Sequence, residues 1–342
     1  MFPRTHAEQQ RHDEEAARMN SMISDIRAIY DANTPLFTKD AIRKAGEQLE
    51  ICKKDACLNG GRNVILRGIN GVDYEYFAAL PPERSTSDRE QYFGGSMWMI
   101  AYHSIEHLTI VNDPLFFDPE TAYLPMMVAA FTRELRPHSP TEHDLYASST
   151  EELREAFYDI ERKWKMSEYY DQLQAALAII STPPVLDKVF GVALGPLILN
   201  DRVNPRSVIQ HALISTIYST LLQRGVLSAS SKRYAQDPIY TQLEKDVLCS
   251  AGFTVLEDPQ AFLMLDDSSI LVSINPDIPV KQIVADICRP GIIIWPSGCD
   301  LTFMTDPDSP RVDRMIEKDY YKLDFPFHQS FGDLVMYIRK VT

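Results

Sequence analysis

Apolar positions recur at helical spacing in several stretches of the chain and at strand spacing in others. After Thr38, an N-cap residue, Ala41, Ile42, Ala45, Leu49 and Cys52 form one apolar stripe ending before Asn59-Gly60-Gly61, which predicts an amphipathic helix. Val64 to Ala79 carries β-type residues on both sides of Asn70-Gly71, which predicts a hairpin closed by a two-residue type I′ turn. Ser149-Thr150-Glu151-Glu152 has capping-box spacing and opens one long helix through Leu153, Phe157, Ile160, Trp164, Leu173 and Leu177. Ser181-Thr182-Pro183-Pro184 stops it and marks the expected boundary between two halves.

Beyond that boundary strands and helices alternate. Val189–Leu194 reads as a buried strand running into Gly195-Pro196, and Asn204-Pro205 as the cap and first residue of a helix facing inward with Ile209, Leu213, Ile217 and Leu221. Strands follow near 232–236, 253–256, 270–274, 292–295 and 334–341, with helices at 238–251, 280–288 and 312–321. The predicted class is α/β, a Rossmann-like, doubly wound and mainly parallel sheet over residues 183–342. An α+β extension of helices and a hairpin precedes it at 19–182, and the polar first eighteen residues are expected to be disordered.

Such a sheet gathers ligands outside the C-terminal ends of its strands. That rule selects Gly191, Leu194 and Gly195 after the first strand, Asp237 and Tyr240 after the second, Asn275 and Pro276 after the fourth, and Trp295 after the fifth. Gln210 joins them from the first turns of the following helix. The glycine loop lacks the third glycine of the dinucleotide fingerprint, and Pro196 has no N–H to offer a phosphate. Asp237 reads either as an acceptor for a ribose or an amine, or as the cap of a helix starting at Pro238. His211, in the same helix as Gln210, reads as a packing histidine.

In the first half, His103-Ser104-Ile105-Glu106-His107 has the H-x-x-E-H spacing of a zinc site, which converges only on a helix. The flanking residues suit a strand at least as well, so no metal is expected there, and the two histidines are read as partly buried polar residues. Five cysteines without C-x-x-C spacing argue against a disulfide frame or structural zinc.

Composition narrows the function. With 48 acidic against 34 basic residues and a formal charge of −14, the mean field repels phosphate backbones and anionic membranes. No apolar run approaches a membrane span and the first residues carry no secretory signal, so the expected compartment is cytoplasm or nucleus.

The segments 189–195 (VFGVALG), 210–222, 236–258, 262–295, 305–316 and 331–341, in that order, resemble the sensitivity-to-red-light-reduced-like domain, most closely its fungal branch. The resemblance covers about residues 183 to 342 and implies the Rossmann-like fold more directly than a reaction. Family members are linked to circadian and light responses in plants and to haem metabolism, stress and cytoskeletal phenotypes elsewhere. Gly191, Gly195, Gln210, Asp237-Pro238 and Asn275-Pro276 match the family's motif positions. Where other branches end the fourth strand in a Met-Pro-His-Cys-like segment, this chain has Ser273-Ile274-Asn275-Pro276, so haem, metal or thiol chemistry there has no ligand and no cofactor is named.

The expected function is an intracellular protein whose crevice binds a small nucleotide-like ligand, in a regulatory role. One alternative is a transferase of fungal secondary metabolism, using an adenosyl donor or aminoacyl-tRNA, as in cyclic dipeptide formation. Against its tRNA form, only Arg202, Arg206, Lys232 and Arg233 are expected near the mouth. The other alternative is a protein-interaction module presenting the helices of the first half to a partner.

Overall fold

The computed structural model describes residues 6–79, 97–110, 118–131, 145, 147–180, 185–199, 202–296 and 305–340; among these, the side chains of 6–8 and 55–59 are not described. The chain forms two compact units, one of Met1–Leu80 and Trp98–Ala130, the other of Pro81–Met97 and Phe131–Thr342.

The first unit holds α1 (His6–Asp31), α2 (Lys39–Asn59), the antiparallel pair β1 (Gly61–Arg67) and β2 (Asp73–Ala79), then β3 (Met97–Tyr102), α3 (Ile105–Leu108) and β4 (Met126–Phe131). Thr38 caps α2 by accepting from Ala41 N at 3.1 Å, and Gly60 ends it in the left-handed conformation at φ 68°. The expectation of a disordered start fails from His6 onward. Residues of high helix propensity and side-chain bonds four residues apart, Gln9 to Asp13 and Arg11 to Glu15, carry the helix through the polar stretch. The hairpin is present, but Arg67 pairs with Asp73, so residues 68–72 form a longer loop than a two-residue I′ turn. Gly68 N donates to Val72 O, and only Gly71 of the Asn-Gly pair takes positive φ. Tyr76 locks this hairpin to β4, its hydroxyl accepting from Val128 N at 2.6 Å.

The second unit contains α4 (Thr150–Lys165), α5 (Glu168–Ala178), β5 (Lys188–Val192), the short pair β6 (Ile198–Leu199) and β7 (Arg202–Val203), and α6 (Pro205–Gln223). After these come β8 (Lys232–Gln236), α7 (Gln242–Ser250), β9 (Thr254–Val255), α8 (Gln260–Met264), β10 (Ser269–Ser273) and α9 (Val280–Ile287). It closes with β11 (Ile292–Pro296), α10 (Pro310–Asp319), β12 (Tyr320–Asp324) and β13 (Leu334–Arg339). Seven strands form one sheet in the order β12-β13-β11-β10-β5-β8-β9. β9, β8, β5, β10 and β11 are mutually parallel, and β13 runs antiparallel between β11 and β12. β5 and β10 are buried almost throughout, as parallel strands covered on both faces must be.

From β5 the chain winds through α6 to β8, and from β10 through α9 to β11 in the other direction. The right-handed rule for such crossovers puts α6 and α9 on opposite faces. The order of winding therefore reverses between β5 and β10, the Rossmann-like, doubly wound arrangement expected.

Three expectations are corrected. The helix predicted through 149–180 breaks at Met166-Ser167 into α4 and α5, where Ser167 Oγ donates to Trp164 O at 2.7 Å. Both helices share the core of the sheet: Leu153, Phe157, Trp164, Leu173 and Leu177 pack in one cluster with Ile214, Ile217 and Val272. The unit thus starts well before the proline pair, which itself lies at residues 181–184, outside the described residues. Finally, α10 stops at Asp319 and Tyr320–Asp324 becomes a strand, because Tyr320 is drawn into pairing with Arg339 of β13 and its hydroxyl donates to Pro290 O at 2.9 Å.

Candidate functional site

The winding reversal places the end of β5 beside the end of β10, and the sequence ties the two together there. Ser273, fully buried as the last residue of β10, donates its hydroxyl to Val192 O, the last residue of β5, at 3.1 Å. Immediately beyond this tie both strands turn left-handed: Ala193 has φ 54° and Asn275 has φ 47°. An L-residue with a Cβ pays about 1–2 kcal/mol for this conformation. Backbone strain of this kind concentrates at binding and catalytic sites.

The loop after β5 is held from its neighbour strand. Ala193 N donates to Gln236 O at 2.9 Å, and Gly195 N donates to Asp237 Oδ2 at 2.8 Å, while Asp237 Oδ1 accepts from Ile239 N at 3.1 Å. Gly195 takes φ 76°, with nothing within 4 Å of where a Cβ would stand. Gly191 is needed for its size instead. A Cβ there would lie 2.6 Å from Leu194 Cδ1, so the bare glycine admits the Leu194 side chain to the core.

Asp237 is the perturbed acid of this rim. Burial is the main cause that pushes its carboxyl up to about 6, with the charges of Asp277 and Glu244 adding, against the two backbone N–H bonds that favour the ionised form. Asp237 is not a helix cap. The helix begins later, where Thr241 and Glu244 form a capping box, and Glu244 also accepts from Ile198 N at 2.9 Å.

Behind the glycine loop lies a buried polar pair. His211 Nδ1 stands 2.7 Å from Ser207 O, which can only accept, so Nδ1 carries the proton and Nε2 accepts from the Tyr240 hydroxyl at 2.8 Å. Burial holds His211 down at about 4 and raises Tyr240, with Asp237 and Glu244 raising it further. Ser207 Oγ in turn donates to Gly195 O at 2.8 Å, which joins this pair to the loop.

Of the residues selected from sequence, the structure brings Gly191, Leu194, Gly195, Asp237, Asn275 and Pro276 to the ends of three adjacent strands. Leu194 offers the rim only its backbone, being 2% exposed. Three others are turned away. Trp295 is 1% exposed with its ring beside Tyr337, so it has no free face to stack on a ligand. Gln210 donates to Ser330 O at 3.1 Å, and the Tyr240 hydroxyl is engaged by His211. Two of the expected mouth cations are misplaced as well: Lys232 and Arg233 begin β8, at the opposite end of the strand from Asp237, where Arg233 donates to Gly252 O. Arg206 donates to Ser330 O at 3.0 Å.

The sequence carried no signal for the segment between β12 and β13. Its Ser330 carbonyl receives both Arg206 and Gln210, and Phe325 and Phe331 sink into the core. The Ser273 tie was equally hidden, because a serine ending an apolar strand reads as an ordinary boundary.

In the first unit the H-x-x-E-H stretch spans the end of β3 and the short α3, capped by Ser104. The His103 and His107 rings lie stacked 4.4 Å apart at 16°, which faces their planes together rather than their nitrogens toward one ion. Burial and the neighbouring His107 lower His103 to about 4. Among the described residues no group of three His, Cys, Asp or Glu side chains stands in metal-binding arrangement, and no helix is long and apolar enough to cross a membrane.

The fold and the rim together define a Rossmann-like α/β protein whose winding reverses between β5 and β10. Residues 172–338 match the SRR1 domain, so the chain carries a domain of the sensitivity-to-red-light-reduced family, which takes in most of α5, the sheet up to Ile338 and the rim. No curated protein matches the chain.

Proposed function

We propose that this protein binds a small nucleotide-like ligand in the crevice outside the ends of β5 and β10, in a regulatory role. The observation that supports it most is the pair of left-handed, non-glycine residues, Ala193 and Asn275, at the two strand ends flanking the winding reversal. Asp237, at the end of the next strand and held against Gly195, supplies acceptors for ribose hydroxyls. The proposed compartment is the cytoplasm or the nucleus, and the motif set is read as that of the fungal branch.

The test is a melting-temperature screen of the purified chain against nucleosides, nucleotides and adenosyl compounds. A saturable rise that is lost in Asp237→Ala supports the reading, and no rise with any of them contradicts it.

One observation favours a second reading, that of a transferase at the same crevice. A carboxyl titrating at about 6 exchanges its proton near neutrality and suits general acid–base work. Turnover of a bound donor that is abolished in Asp237→Asn, with donor binding retained, would select that reading over the regulatory one.

A further inference from the structure

We propose that residues 325–333, between β12 and β13, form a strap across the first turns of α6, which His328 latches while its ring is neutral and releases when the ring is protonated. The inference does not depend on the ligand reading above.

β13 runs antiparallel to β11, with Leu334 opposite Pro296, so the strap lies at the end of the sheet where β5 and β10 finish. Its polar groups are gathered on one residue. Phe331 N and Gly332 N donate to His328 O at 3.0 and 2.7 Å, and Ser330 N donates to His328 Nδ1 at 3.0 Å. The neutral ring therefore carries its proton on Nε2. Ser330 O in turn accepts from Arg206 Nε and Gln210 Nε2 of α6. One imidazole nitrogen thus orients the residue that α6 holds.

The His328 ring is buried among aromatic rings. Trp164 and Tyr169 stand edge-on to it at 5.3 and 4.6 Å, one on each side of the break between α4 and α5, and Phe331 stacks on it at 4.9 Å. Trp164 is itself fixed to α6, its Nε1 donating to Thr216 Oγ1 at 2.9 Å. Protonation puts a hydrogen on Nδ1, where the Ser330 N–H already points. Donor then meets donor, and a flipped ring would offer that N–H only a C–H. Aromatic faces attract an imidazolium but cannot supply the missing acceptor. Water supplies it once the strap lifts. Lifting frees Arg206 and Gln210 beside the loop that leaves β5, to which α6 is tied by Asn204 Nδ2 on Pro196 O.

Charge on the surrounding elements does not set this latch. Arg206 of α6 is held on Ser330 O, and on α4 Arg162 and Lys163 pair with Asp159 and Lys165 with Glu161. Glu168 and Asp171 of α5, and Asp324 and Asp333 flanking the strap, are exposed, and Tyr169 presents its ring. Burial alone lowers the His328 imidazole.

The test is amide hydrogen exchange of the full chain at pH 7 and pH 5, each corrected for the intrinsic rate at that pH. Protection at 325–333 is expected to fall at pH 5 at least about threefold more than protection of β5 and β10. In His328→Asn the side-chain oxygen can still accept the N–H two residues on, and it does not titrate, so the extra loss should vanish. Equal changes in strap and strands in the parent would overturn the proposal, as would an undiminished extra loss in His328→Asn. Imidazole nitrogen NMR of the parent gives a second readout, with His328 expected as the Nε2–H tautomer at pH 7 and charged over the range in which the strap loses protection. An Nδ1–H tautomer, or a ring still neutral where protection is lost, would overturn it.

Discussion

Asp237 Oδ2 accepts the backbone N–H of Gly195 at 2.8 Å, so a carboxylate at the end of β8 sets the shape of the loop that leaves β5. The same carboxyl titrates at about 6, raised chiefly by burial. A raised carboxyl binds its proton more tightly in the folded chain than in the unfolded one. Its contribution to stability is therefore full below about pH 4 and is lost as the pH rises through about 6. Asp237→Asn removes the buried charge but keeps only one of the two acceptors, so the N–H of Gly195 or of Ile239 then faces an amide NH2. The stability of the variant relative to the parent should therefore rise by about 2 kcal/mol between pH 4 and pH 7 in urea unfolding. A difference that does not change with pH would contradict this.

His211 carries the opposite sign. Its imidazole is held at about 4 by burial, so the fold favours the neutral ring, and stability present above about pH 6.5 is lost as the pH falls toward 4. Tyr240→Phe removes the hydroxyl donated to Nε2 and leaves a buried acceptor without its partner, a loss of about 1–3 kcal/mol at pH 7. Imidazole NMR should report His211 still neutral at pH 5 in the parent; a charged ring at that pH would refute the assignment.

The rim glycines and Ala193 should separate by mechanism. Gly191→Ala drives a Cβ into Leu194 and Ile214 and should cost about 1–3 kcal/mol. Gly195→Ala meets open space and should cost about 1 kcal/mol through its φ alone. Ala193→Gly relieves a positive φ and should leave stability level or raise it by up to about 1 kcal/mol, whereas Ala193→Val should lower it by more than Gly195→Ala does. Denaturant midpoints of the four variants check the ranking.

Gln210 and Arg206 share one acceptor, Ser330 O, and so brace residues 325–333 against α6. Gln210→Leu should speed amide hydrogen exchange in that segment while leaving β5 and β10 protected. Unchanged exchange at 325–333 would show that its apolar residues, Phe325 and Phe331, hold it alone.

What could be read from the chain was whatever local chemistry decides. Thr38, Ser149 and Asn204 cap their helices because a side-chain oxygen needs only a neighbouring N–H, and the apolar stretches Val189–Val192, Ile270–Val272 and Ile292–Trp295 mark β5, β10 and β11 because both faces of these strands are covered. Where distant partners decide, sequence reading failed. Tyr320 looks like the end of a helix until β13 pairs with it. Trp295 looks like a ligand platform until Tyr337 lies against it. Lys232 looks close to the mouth because it neighbours Asp237 in sequence, but a strand separates its two ends. The rim itself was half legible: the winding rule selected the loops after β5, β8 and β10, but not the left-handed turn at Ala193 or the Ser273 bond to Val192 that hold them.

The central claim is that these loops enclose one guest, and a crystal structure of the chain grown with S-adenosylmethionine or S-adenosylhomocysteine tests it most directly. The account predicts density for the nucleoside beside Gly195, Asp237 and Asn275, with the ribose on the Asp237 carboxylate. A nucleoside seated elsewhere on the molecule, with this rim left unfilled at full occupancy of the other place, would contradict it.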